Sequence, residues 1–387
     1  MEGQKNLSSP AFKEPVHVGR PNLPDRKVFD RYIQSIFDSR WLTNNGPLLR
    51  QFKEKLQDYL EVKNVIPVCN GTIALELAER ALGFQREVVM PSYTFIATAH
   101  SLRWQQITPV FADIQHKATT LAPKSARNAI TEATSGIIGV HVYGHPCDHS
   151  ALKAIAMERS IPLLYDAAHS FGCEVDGIPA AKLGDASVFS FHATKFFNTF
   201  EGGAITTDDD DLAEKVRLMN NFGFAGREKD KVDYLGINGK MSEISAAMGL
   251  AMLDSVESIR NRNRENYSAY ADSFSSVPGL ELIEPPASLT RNNWQYVIFR
   301  VNKAGITRDN LAQALERENI LVRKYFHPGC HRLVPYCSEP SSLRVSLAET
   351  EALSDAVLSF PTGQAVNPDM IEKIANVTAE IIERNCG

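Results

Sequence analysis

Three short stretches of the chain carry side chains that could do chemistry together. The first, Asn70-Gly71-Thr72, sits between the apolar run Val65 to Cys69 and a helical period from Ile73 to Leu82. Backbone N–H groups at such a helix start, with the Thr72 hydroxyl, can converge on an anion. The same residues would equally make a plain strand-to-helix turn with Asn70 or Thr72 as the cap. The second is Asp166, which closes the run Ile161 to Tyr165 and precedes Ala167-Ala168-His169. A carboxylate at the end of a buried strand needs positive charge beside it, which a protonated ring nitrogen would supply; a structural or capping aspartate is the alternative. The third is Ser190-Phe191-His192-Ala193-Thr194-Lys195, continued by Asn198, Glu201 and Gly202-Gly203. A lysine sheltered by Phe191, Phe196 and Phe197 can lose enough basicity to attack an aldehyde, although an isolated lysine is ordinarily a surface residue.

The elements that must position these groups read as strands alternating with crossover helices in a mostly parallel sheet, an α/β fold. The expected strands are Val65 to Cys69, Glu87 to Met90, Pro109 to Asp113, Gly136 to Val142, Pro162 to Tyr165, Ser187 to Phe191 and Ala204 to Thr206. Several are near-continuous apolar runs, as expected of strands covered on both faces. In such sheets ligands bind at the carboxyl ends of the strands, where Asp166 and the lysine segment fall. Met241 to Ile259 reads as one long helix whose polar face continues through Arg260 to Arg264. That helix divides the chain into residues 1–258, an N-terminal segment with a large domain, and residues 259–387, a small C-terminal α+β domain. The latter offers strand-like segments Trp294 to Val301 and Ile320 to Lys324 and helical ones Arg308 to Glu318 and Asp369 to Arg384.

The 387 residues are 43% apolar and carry a net charge of -5 with both signs interspersed, so no extended positive field invites nucleic acid or an anionic membrane. No apolar run approaches the ~20 residues that span a bilayer, and the start lacks a signal-peptide layout. Six scattered cysteines without a C-x-x-C pair fit a reducing, cytoplasmic setting. His141, His145 and His149 have Cys147 and Asp148 nearby, but Gly144 and Pro146 break any helix that would align them, so no metal is expected. The acidic run Asp208 to Asp211 suits a solvated helix start. Neither a G-x-G-x-x-G nor a P-loop motif is present, which removes nicotinamide and P-loop nucleotide readings.

The segments WLTNNGP (41–47), NGTIALELA (70–78), MPSYTFIATA (90–99), YDAAHSFG (165–172), FSFHATKFFNTFEGGAI (189–205) and NGKMSEISAAMGL (238–250) together resemble, in order and over nearly the whole chain, the DegT/DnrJ/EryC1/StrS family of sugar aminotransferases. The resemblance implies pyridoxal 5'-phosphate as cofactor in fold type I, the aspartate-aminotransferase-like fold, with a seven-stranded sheet in the large domain. It makes Lys195 the catalytic residue that bonds the cofactor aldehyde and then moves a proton. It pairs Asp166 with the pyridinium nitrogen, sets His169 beside the ring near its 3-oxygen, and stacks Tyr93 on the opposite face. Gly71, Thr72 and Ser190 would hold the phosphate, joined by Asn238 from a neighbouring subunit, which implies a homodimer with shared sites. Thr43 and Gly46 would touch the sugar, with His331, in preference to His327, near the nucleotide sugar in the stretch KYFHPGCH. The implied reaction moves an amino group from L-glutamate to a nucleotide-linked keto sugar. The 4-keto group of a dTDP-4-keto-6-deoxyhexose is expected, with a 3-keto sugar, a cyclitol or aromatic precursor, and a silent sensor as alternatives. A branch of the family that carries histidine at the lysine position dehydrates instead of aminating; this chain has Lys195.

Overall fold

The computed structural model describes residues 9–226, 230–302 and 305–386. All seven expected apolar runs are strands: β1 (Asn64–Val68), β2 (Glu87–Pro91), β3 (Thr108–Ala112), β4 (Thr134–Val140), β5 (Leu163–Asp166), β6 (Ala186–Ser190) and β7 (Gly203–Thr207). They form one seven-stranded sheet in the order β1-β7-β6-β5-β4-β2-β3. Every pairing is parallel except those of β7, which runs antiparallel to β1 and β6. Val65, Val88, Val89, Val110, Ile137, Ile138 and Leu164 are 0% exposed. Helices therefore cover both faces, and each such side chain contributes roughly 1.5–3 kcal/mol by leaving water.

Helix α1 (Gly71–Ala81) begins where β1 ends, and the Asn70 side chain caps it by accepting the Ile73 N–H at 2.9 Å. Helix α2 (Ile96–Trp104) follows β2 after a short polar turn. The expected long helix is longer than its apolar period suggests: α3 spans Glu243–Phe274 without a break, so the boundary expected at 258/259 falls inside it. Its first half packs Ala246, Met248, Leu250 and Ile259 on the large domain, whereas Tyr270 and Phe274 join a second core with Phe299, Leu311, Leu358 and Ile374. This second core covers a three-stranded sheet in which Val297–Val301 lies between Leu280–Leu282 and Val357–Phe360, with helices Arg308–Arg317 and Pro368–Cys386 against it.

The N-terminal segment belongs to both cores. Val16–His17 pairs in parallel with Ile320–Leu321, and Val16 is buried among the C-terminal residues. The chain then turns at Gly19 (φ 72°) and crosses to the large domain. Asn22 fixes the crossing from both sides. Its side-chain amide donates to the Phe196 carbonyl (3.1 Å) and its side-chain oxygen accepts from Gln364 N–H (3.2 Å), while its carbonyl accepts from the Asn198 amide (2.8 Å).

Candidate active site

A cavity of about 670 Å³ opens at the carboxyl ends of β1, β5 and β6, walled by the N-terminal crossing, the two strand-end loops and the small domain. Gly71, Thr72, Asp166, His169, Ser190 and Lys195 all line it. Strand ends deliver these groups because the sheet is parallel there: β5 ends on Asp166, β6 ends on Ser190, and α1 starts at Gly71.

Asp166 is buried, and each of its carboxylate oxygens has a donor. Thr98 Oγ1 donates to Oδ2 at 2.8 Å and Ala168 N–H to Oδ1 at 3.1 Å. Burial raises its pKa, opposed by those donors and by the Lys195 charge. Lys195 faces the same space, and among the described residues no acceptor or carboxylate holds its Nζ. Burial pushes its pKa down to about 8, with Asp166 opposing the shift. A carboxylate that wants a cation and an amine on the verge of neutrality thus share one cavity without pairing directly.

His169 is buried, and burial together with the Lys195 charge holds its pKa well below that of free histidine. Its Nδ1 accepts the Tyr143 N–H at 3.1 Å, which places the ring proton on Nε2. His141, also on the wall, repeats the pattern: Nδ1 accepts the Cys147 N–H at 3.2 Å, and the buried Nε2 has no partner. His145 and His149 turn to Thr119 and the Tyr165 hydroxyl, and no group of three metal-binding side chains forms among the described residues.

The walls fit pyridoxal phosphate. At α1, the Gly71 and Thr72 N–H groups have no intrahelical acceptor, and a Cβ on Gly71 would come within 2.9 Å of Ser190 Cβ, closing the cradle between them. The orphan His141 Nε2–H and the Asp166 carboxylate supply polar partners for a ring bearing oxygen and nitrogen. Asp166, positioned by Thr98 and Ala168, is the residue that would hold a pyridine nitrogen protonated, and Lys195 the one that would bond the aldehyde.

Several expected contacts are elsewhere. Tyr93 does not face the cavity: it is fully buried, its hydroxyl 2.6 Å from the Tyr143 hydroxyl and 2.7 Å from the Tyr325 carbonyl. Strand β2 ends at Pro91, so alternation no longer predicts which side chain turns inward, and Phe95, 58% exposed, stands on the wall in its place. His331 is also off the wall. It is 6% exposed, with Nδ1 2.7 Å from Ser92 Oγ and Nε2 3.2 Å from Glu351, and serves as a fastener between β2 and the small domain. His327 instead pairs with Asp355 at 3.0 Å. Thr43 is exposed outside this chain's cavity. Gly46 is buried under Glu243, whose carboxylate receives Leu48 and Leu49 N–H at 2.8 and 3.1 Å; a Cβ there would meet Glu243 at 2.5 Å. Asn238 is exposed and does not line its own chain's cavity. Sequence reasoning missed Phe95, Tyr296, Phe326, Asn263 and the N-terminal residues Gly19 and Arg20, all of which line the cavity.

A parallel sheet with a lysine and an aspartate at neighbouring strand ends, over a phosphate-sized cradle at a helix start, defines a fold-type-I pyridoxal-phosphate enzyme. Residues 25–378 match the DegT/DnrJ/EryC1/StrS aminotransferase family, and the chain belongs to it. It is 35% identical over 370 residues to a dTDP-4-amino-4,6-dideoxy-D-glucose transaminase of Shigella dysenteriae, covering 96% of this chain and 100% of that one. It is 31% identical over 355 residues to a GDP-perosamine synthase of Caulobacter vibrioides, covering 91% and 94%. A solved structure of DesI in the presence of its TDP-sugar product superposes with a TM-score of 0.93 at 43% identity, covering 97% of this chain and 95% of that one. The protein is therefore an aminotransferase that works with pyridoxal phosphate. Among the described residues no helix is long and apolar enough to cross a membrane.

Proposed function

We propose that the enzyme transfers an amino group from L-glutamate to the 4-keto group of a dTDP-4-keto-6-deoxyhexose, giving a dTDP-4-amino-4,6-dideoxy sugar. The observation that carries this reading is the unpaired Lys195 amine sharing a cavity with Asp166, in a chain similar along nearly its whole length to DesI, solved in the presence of its TDP-sugar product, and to the Shigella transaminase. Bound pyridoxal phosphate supplies an aldehyde that amines capture and a ring that accepts negative charge. In this scheme Lys195 Nζ takes the proton from the amino-bearing carbon of the donor and returns one to the sugar carbon. Asp166 holds the ring nitrogen protonated, while Thr98 and Ala168 N–H keep its oxygens oriented. His169 presents Nε2–H beside the ring, and Gly71, Thr72 and Ser190 hold the phosphate against the helix start.

A shared-site homodimer is part of the proposal. Trp41, Leu42, Phe222, Leu235, Ile237 and Ile244 are exposed apolar side chains on the segments that carry Thr43 and Asn238. The Glu243 N–H donates to the Leu42 carbonyl at 3.0 Å, tying those segments together. Covering this face with a second copy would bring Asn238, Thr43 and Gly46 toward the other copy's cavity.

The test is a spectral titration of the holoenzyme in two steps. L-glutamate should bleach the visible cofactor band, and dTDP-4-keto-6-deoxyglucose should restore it with release of an amino sugar. Restoration by a 3-keto isomer alone would move the ring position, and restoration by a GDP-linked 4-keto sugar alone would move the nucleotide toward that of the Caulobacter relative.

A further inference from the structure

Among the described residues the cavity has two cationic side chains of the lysine and arginine type on its walls, Lys195 and Arg20. Lys195 belongs to the chemistry. Arg20 has no hydrogen-bond or ion-pair partner among the described residues. The backbone beside it is held firmly. Val16–His17 is paired with Ile320–Leu321, Asn22 is tied to the Phe196 carbonyl, the Asn198 side-chain amide and the Gln364 N–H, and Gly19 lies so near Thr194 that a Cβ there would come within 3.3 Å of Thr194 Cβ. Thr194 is the residue before Lys195. Arg20 is an exposed side chain on the cavity wall, but its backbone is fixed one residue from Gly19, which packs against the lysine loop, so its guanidinium is held within the cavity's reach and is free to pair with an anion there.

We infer that Arg20 receives the α-carboxylate of the amino-acid donor and so selects donors that carry one. An amino-acid α-carboxylate hangs directly on the carbon whose bond to hydrogen is broken, so its anchor has to lie next to the lysine. The diphosphate of a nucleotide sugar is separated from the reacting carbon by the hexose ring and belongs farther out. The planar fork of arginine matches a carboxylate with two parallel N–H donors, which also sets the rotation of the donor about its reacting carbon. This inference rests on the aminotransferase reading above and assigns the donor half of that site.

The two half-reactions separate the possibilities. Arg20→Gln and Arg20→Lys holoenzymes would be compared with the wild type in single turnovers followed at the cofactor band, first with L-glutamate, L-glutamine and L-alanine, then with the keto sugar after conversion to the amino form. Loss of a charge-assisted pair predicts that Arg20→Gln needs on the order of 10- to 100-fold more amino acid for half-maximal conversion. Arg20→Lys should recover part of the loss, and the sugar step should change by less than about 3-fold, a difference within what one uncharged contact accounts for. Equal losses in both steps would reduce Arg20 to a support of the N-terminal crossing, and a loss confined to the sugar step would give it to the diphosphate; either overturns the inference. Failure of wild-type enzyme with L-glutamate but not with another amino acid would defeat the proposed donor and leave the Arg20 comparison readable on the amino acid that works.

Discussion

Two polar constellations of this molecule each contain a histidine and a carboxylate. One is the cavity wall formed by Asp166, His169, His141 and Lys195. The other is the joint between the sheet and the small domain, where Ser92, His331 and Glu351 meet and Asp113 receives Ile114, Glu349 and Thr350 N–H together with the Thr350 hydroxyl. In the joint the hydrogen-bonding groups face one another: Nδ1 and Nε2 of His331 both have protein partners, and both oxygens of Asp113 receive donors. On the wall the Lys195 amine and the His141 Nε2–H are left over. A satisfied network fastens, whereas an unfinished one awaits a ligand.

The largest effect expected from breaking the wall is that of Lys195→Ala. Amino transfer should fall by about 10³-fold or more, the scale of a lost proton-transfer group. The visible band of lysine-bound cofactor should be absent although circular dichroism shows a folded protein, and turnover near wild-type level would refute the assignment.

The second expectation uses the state of that amine. Its pKa is lowered to about 8 by burial, so in apoenzyme the reactive neutral form is scarce at pH 7 and dominant above pH 8. The rate of pyridoxal phosphate capture should therefore rise about fivefold between pH 7 and 8 and gain only about another twofold beyond it. Stopped-flow absorbance between pH 7 and 9.5 reads the profile, and a rise continuing past pH 9.5 would mean an unperturbed lysine. The same depression makes the unfolded chain bind more protons than the fold between pH 8 and 10.5, so this residue's contribution to apoenzyme stability improves as pH rises through that window.

Phe95→Ala, on the wall, should weaken cofactor binding by roughly 3- to 10-fold through loss of a ring contact. Tyr93→Phe, off the wall, should leave cofactor affinity unchanged and cost about 1–2 kcal/mol of stability for its lost hydroxyl contacts. Denaturation midpoints and equilibrium dialysis on the two variants read this difference, and an exchanged pattern would put Tyr93 rather than Phe95 against the cofactor. The smallest effect on chemistry is expected in the joint. His331→Ala should lower stability by roughly 1–3 kcal/mol through its stranded partners, with kcat within about 2-fold of wild type.

Asp166 was legible in the sequence because it terminates an apolar run, and the end of a parallel strand is where a side chain enters the cleft; Lys195, five residues past the end of its strand at Ser190, was legible only through the motif around it. The seven strands were legible for the same reason: Val, Ile and Leu follow one another where both faces are covered. His331 and Tyr93 illustrate the opposite case. Residue type and position cannot distinguish a histidine aimed at a ligand from one whose two nitrogens are already engaged 239 residues away and 20 residues away. Past Pro91 the chain leaves the strand, and the alternation that places side chains on a face ends with it. Arg20 left no signal either, because Val16–His17 is a two-residue strand whose partner lies at Ile320–Leu321.

That N-terminal crossing bears on how the molecule is assembled. Contacts such as Asn319 with Phe12 and Leu23 with Gln364 join residues 307 and 341 positions apart, among the longest separations the chain contains. Closing so long a loop is slow relative to the local β-α-β pairings of the sheet, and during synthesis the partners of the first twenty residues are among the last to be made. The wall that carries Arg20 therefore cannot be completed before translation has delivered Ile320–Leu321 and Gln364, to which its flanking backbone is tied.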